Sequence, residues 1–137
     1  MLADAADVLG GKLYVHGGGW DVVYASEVPA THAAMSIVLI FKLDWHEANE
    51  DIPLMIQVQD EDRHETLISG KAIMRAGIPP LAQKGDPLYH PFAQTFRGLQ
   101  FPNYGRYTLT ISSDDKELVR LPIVVSNPAA LTTLTKT

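Results

Sequence analysis

Cysteine is absent from the 137 residues, which excludes a disulfide framework, a thiol nucleophile and a thiolate metal site. No apolar run approaches the roughly 20 residues of a membrane-spanning helix. The opening MLADAADVLG has neither the basic nor the apolar region of a signal peptide, so a soluble, cytoplasmic protein is the expectation. Positive charge is also scarce: eleven Lys and Arg stand against sixteen Asp and Glu, for a net charge of −5. That balance repels phosphate backbones and anionic lipid. The cations Lys12, Lys42, Lys71, Lys84, Arg97 and Arg120 are scattered, without the aromatic-interleaved basic stripe of single-strand binders. Neither nucleic acid nor a membrane is expected as a partner.

Helical spacing is scarce too, and period-2 alternation takes its place. In YGRYTLTISS, Tyr107, Leu109 and Ile111 share one face while Arg106, Thr108, Thr110 and Ser112 share the other. SDDKE is a polar turn, after which LVRLPIVV returns with Val119, Leu121, Ile123 and Val125 in phase. Pro122 cannot donate to a ladder, which places this second strand at a sheet edge or a bulge. DIPLMIQVQ alternates as well, with Ile52, Leu54, Ile56 and Val58 together, and TLISGKAIM pairs back less clearly because of Gly70. AAMSIVLIFKLDW sets Met35, Ile37, Leu39, Phe41, Leu43 and Trp45 on one face, yet Val38 and Ile40 make its other face apolar. Such a strand is either covered on both sides or faces a partner.

About seven short strands separated by turn signals predict an all-β fold. It is read as a single antiparallel β-sandwich, immunoglobulin-like with Greek-key connections, with a jelly roll or small barrel as the alternative. FPNYGRYTL supports the immunoglobulin-like version, because Tyr107 sits where a tyrosine corner would bond back to nearby backbone. Residues 76–103, rich in Pro and Gly, read as a long connection with one extra strand at HPFAQTFRGLQF. Residues 1–126 form one domain on this reading and 127–137 a loose tail.

The stretch YVHGGGWD, residues 14–21, matches the His-Gly-Gly-Gly oxyanion loop of lipases and esterases. That loop works beside a Gly-x-Ser-x-Gly nucleophile elbow on a large α/β sheet, and no such elbow occurs in this chain. A structural role is expected for Gly17, Gly18, Gly19 and Trp20 instead. Leu13 and Val15 are odd-numbered, whereas Trp20, Val22 and Tyr24 are even. If both sets face one core, a β-bulge at the glycines must join them, with Trp20 as a core anchor. The competing register keeps Tyr14, His16, Trp20, Val22 and Tyr24 on one continuous face.

Taken together, ADAADVLGGKLYVHGGGWD, the HEAN turn and FPNYGRYTLTI…RLPIVV resemble a family of short bacterial proteins known only as a domain of unknown function. The resemblance spans nearly the whole chain. It implies bacterial origin and a shared fold, and brings no activity or catalytic residue.

The five histidines, His16, His32, His46, His64 and His90, lack the close spacings of metal grips. Asp44, His46, Glu47, Glu50 and Asp51 crowd into eight residues, a candidate divalent-cation or acid/base site that reads better as a solvated turn, with Asp44 and Glu47 spaced as in a capping box. Asp60, Glu61 and Asp62 occupy one turn and Asp114 and Asp115 another. In an up-and-down count both turns fall at one end of the sandwich, which makes Asp60, Asp62, Asp114 and Asp115 the candidate calcium ligands. An extra strand within 76–103 would break that parity. The function expected first is a non-enzymatic interaction or structural module, binding a protein partner or self-associating through strand 33–45 or an edge. The alternative is a calcium-dependent binding module; no other cofactor is expected.

Overall fold

The computed structural model describes residues 1–129, so the expected tail lies outside the described residues from position 130 onward. Nine strands follow one another: β1 Leu2–Leu9, β2 Lys12–Trp20, β3 Val22–Tyr24, β4 Ala30–Leu43, β5 Ile52–Asp60, β6 Thr66–Met74, β7 Leu88–Phe101, β8 Gly105–Ser113 and β9 Lys116–Ser126. They form two packed sheets, sheet 1 in the order β2-β1-β4-β7 and sheet 2 in the order β3-β9-β8-β5-β6. All pairings are antiparallel except β3 with β9, which is parallel. The all-β sandwich read from alternation is the fold, with two strands more than the seven expected.

The core follows the period-2 pattern. Met35, Ile37 and Leu43 of β4 meet Leu54, Ile56 and Val58 of β5, Tyr107, Leu109 and Ile111 of β8, and Ile123 and Val125 of β9. Burying each such side chain contributes roughly 1.5–3 kcal/mol relative to exposure. Phe101 packs edge-on against Tyr107, with centroids 5.0 Å apart. The Tyr107 hydroxyl donates to the Asn103 carbonyl at 2.8 Å and accepts from the Asn103 N–H at 3.1 Å. The side chain thereby pins the turn between β7 and β8 to the core, and burial pushes its phenol above the ordinary value.

Three details bear on the expectations: the edge position of Pro122 and the extra strand are found, and a bulge at Pro122 is not. Pro122 lies where β9 has a free side, since β3 pairs only with Val124 to Ser126. The register shift of the β8–β9 hairpin falls between Ile111 and Ser112, away from Pro122. The extra strand in 76–103 exists as β7, and at 14 residues it is as long as β4.

Candidate interaction surface

The glycine stretch lies in β2, the outermost strand of sheet 1. Ala3 pairs with Gly18 and Leu2 with Trp20, so Gly19 is the inserted residue of a bulge. Gly19 has φ +87° and Gly17 φ +63°, conformations that L side chains resist. The premise that led to the bulge is corrected, however: Leu13 is half-buried and Val15 exposed, because β1 pairs with β4 only at its start, through Leu2–Ile37 and Ala3–Ser36, and the rest of the β1–β2 hairpin leaves the sheet plane. Trp20 is likewise no central anchor. It is half-buried at the edge of the core, donates its indole N–H to the Gly17 carbonyl at 3.0 Å and tilts against His32 at 5.5 Å. His16 pairs with Ala5 within the hairpin.

The candidate calcium ligands are not brought together. Asp60 is opposite Tyr107, near the start of β8, whereas Asp114 and Asp115 follow Ser113 at its end. Because β7 intervenes, the two acidic turns sit at opposite ends of sheet 2. Each has a local structural role. Asp60 is buried and its Oδ1 accepts from the N–H groups of Asp62 at 2.8 Å and Arg63 at 3.2 Å. Asp114 and Asp115 both have positive φ, +49° and +63°, as a two-residue type I′ hairpin demands. Glu61 accepts from the Thr108 hydroxyl at 2.6 Å and lies 3.4 Å from Arg106; these contacts hold its carboxyl below the ordinary value, the hydroxyl bond most of all.

Asp44 caps a 3-10 turn, Trp45–Glu47, and Glu47 Oε1 accepts the Asp44 N–H at 2.9 Å. Oxygen and nitrogen atoms of Asp44, His46 and Glu47 fall within 4.8 Å of one another. Asp44 and His46 are exposed and Glu47 is engaged in the cap, which is the solvated turn read from the sequence.

Strand β4 gives the surface its character. Its outward residues alternate Ser36, Val38, Ile40 and Lys42, opposite Thr95, Ala93, Pro91 and Tyr89 of β7. Ser36 and Val38 are buried, because the N-terminal hairpin bends across this face toward β7 and Met1 clasps Val38 through two backbone bonds of 2.8 and 2.9 Å. Ser36 also bonds Thr95, hydroxyl to hydroxyl, at 2.8 Å. Beyond the hairpin the cover stops. Ile40 and Tyr89 are each 63% exposed and Met1 is 47% exposed, and cross-strand pairing sets Ile40 beside Pro91. Strand 33–45 is therefore covered on both sides in its middle and bare on its outer face near its end. Sequence alternation revealed the apolar character of Val38 and Ile40 alike; the difference between them depends on a contact with Met1, 37 residues away.

No helix among the described residues is long and apolar enough to cross a membrane. No curated protein and no solved structure matches the chain. A family model, described as a family of unknown function (DUF6941), matches residues 1–126.

Proposed function

We propose, on the premise that this chain belongs to that family of unknown function, that it is a non-enzymatic interaction module that contacts another protein through the outer face of β4 and β7. The observation that carries this reading is the contiguity of Ile40, Pro91 and Tyr89 on the part of the face its own hairpin leaves bare. Single exposed apolar residues are ordinary, whereas a joined patch marks a contact surface. A tyrosine on its rim suits a surface that is alternately wet and covered. Lys42 beside Tyr89 supplies a charged margin.

The connectivity supports the immunoglobulin-like form of the sandwich. β3 lies parallel to β9 in the order β3-β9-β8-β5-β6, the chain crosses between sheets from β4 to β5 and from β7 to β8, and Tyr107 bonds the turn before its strand. Such a fold hosts many functions, so the function rests on the surface. A cytoplasmic setting suits a chain without cysteine. The calcium reading has no observation in its favour, since its four aspartates are divided between two ends of a sheet.

Ile40→Lys tests the proposal. The substituted residue is 63% exposed, so the melting temperature should stay within a few degrees of wild type. Wild type used as bait in an extract of its host should retain a partner that the variant loses. Equal capture by both, or none by wild type, would overturn the proposal.

A further inference from the structure

We infer that two copies of this chain join through the free edges of their β7 strands, in antiparallel register about a twofold axis at Thr95. The edge is a different surface from the apolar face above, and the inference stands or falls separately.

An open edge pairs with other chains unless it is blunted, and three of the four sheet edges are blunted. β2 carries the bulge at Gly19 and the left-handed Gly17. β3 has three residues. β6 holds Gly70 and Lys71 at its middle. β7 has 14 residues, and although Pro91 interrupts it on one side and left-handed Gly98, φ +65°, on the other, the stretch between Pro91 and Arg97 reads Phe-Ala-Gln-Thr-Phe, without charge or proline. A groove lined by Thr66, Ile68, Phe96 and Leu99 separates it from β6, so the edge is open to approach.

The backbone groups it offers can be named. Val38 exchanges bonds with Met1, which turns the even residues of β4 toward β1 and the odd ones toward β7. Ile37 faces Gln94 and Leu39 faces Phe92, so the even residues of β7 carry the ladder to β4. Ala93, Thr95 and Arg97 therefore aim N–H and C=O outward. Pro91 is in the same outward phase, where its missing N–H breaks no bond to β4.

Alternating donors and acceptors of this kind fit an extended main chain, and charge selects a second copy in one register. Centred on Thr95, the twofold sets Thr95 opposite itself and Ala93 opposite Arg97, so each guanidinium passes a small neutral residue and all three outward N–H groups find carbonyls. Centring on Arg97 would oppose like charges, which is unfavourable. Centring on Ala93 would put Pro91 opposite Thr95, and centring on Gln94 would put it opposite Arg97, and each loses a donor. Centring on Phe96 would set Ala93 opposite Leu99, carrying the pairing across Gly98 with its left-handed φ of +65°. The Thr95 register also gives a cross-strand threonine pair and makes sheet 1 continuous through both copies in a closed, isologous dimer.

Sedimentation velocity over a concentration series, with amide hydrogen exchange on the full chain, tests this. A dimer is expected in which the amides of Ala93, Thr95 and Arg97 exchange slowly. Ala93→Pro removes one outward donor per copy and spares the β4 ladder. At roughly two- to tenfold per bond, the dimer dissociation constant should rise about 5- to 100-fold, while Ala93→Ser leaves it unchanged. A strict monomer, a dimer whose three amides exchange freely, or a dimer indifferent to Ala93→Pro would each overturn the inference. Should the proline variant fail to fold, exchange in wild type decides alone. A monomer would leave the face around Ile40 to its own capture test.

Discussion

Alanine at each glycine of the HGGG stretch should produce a specific order of damage, Gly17 above Gly19 above Gly18. Gly19 has φ +87° and open space where a methyl group would go, so Gly19→Ala carries the left-handed penalty alone, roughly 1–2 kcal/mol. Gly17 has φ +63°, and its new Cβ would run into the Asp4 carboxylate. Asp4 is exposed and can turn aside at about 0.5–1.5 kcal/mol, for a total of about 2–3 kcal/mol. Gly18 is not left-handed; its Cβ would approach Val15 Cγ1 at 2.9 Å and Met1 Sδ at 3.2 Å, both on partly exposed side chains. A small shift there is largely offset by the roughly 0.5–1 kcal/mol released when a strand glycine becomes alanine. Because the backbone of the hairpin is bonded to β4 only at its start, from Met1 to Ala3, its distal part can open without global unfolding. Hydrogen exchange of the β1 and β2 amides is therefore the assay, and Gly17→Ala should accelerate it about 30-fold, the equivalent of 2 kcal/mol. Gly18→Ala as the most damaging change, or unaltered exchange in Gly17→Ala, would refute the reasoning.

Tyr107→Phe removes the hydroxyl that serves both the N–H and the C=O of Asn103, at roughly 1–3 kcal/mol; calorimetry should show a melting temperature lower by about 3–10 °C, and an unchanged value would deny the corner its role. Glu61 has a folded pKa below its ordinary 4.5, so the unfolded chain binds the extra proton and the contribution of Glu61 is complete above that value. It is lost as pH falls through the lower folded pKa. The stability gap between wild type and Glu61→Gln should accordingly narrow under acid, and a gap constant from pH 7 to 3 would contradict the Thr108 and Arg106 contacts.

Strand identity was most legible where one face is dry and one wet. Tyr107, Leu109 and Ile111 alternate with polar residues, and all three are buried. β1 is not legible in the sequence because ADAAD is built from residues of low strand propensity, although the Gly10-Gly11 pair between it and β2 is a hairpin signal. The bulge at Gly19 exists without the shared core that the phase of its flanks implies. Leu13 and Val15 have core-like identities, but periodicity carries no information on whether a strand stays on the sandwich or bends across it, as this hairpin does. The acidic turns failed for a topological reason: β7 reverses the count of ends, so residues with matching chemistry end up apart. The bare patch shows the same limit, since Ile40 and Val38 share a strand, a face and a residue class, and the docking of Met1 alone distinguishes them.

The claim that the β4 and β7 face is a contact surface is tested most directly by hydroxyl-radical footprinting of the protein, first isolated and dilute, then within the complexes it forms in its own cells. Ile40 and Tyr89 should label readily in the first state and be protected several-fold in the second. Met55 and the 71%-exposed Ile73, on the outer face of sheet 2, should label equally in both. Protection of Met55 and Ile73 with Ile40 and Tyr89 still labelled would place the contact on the opposite sheet and contradict the account.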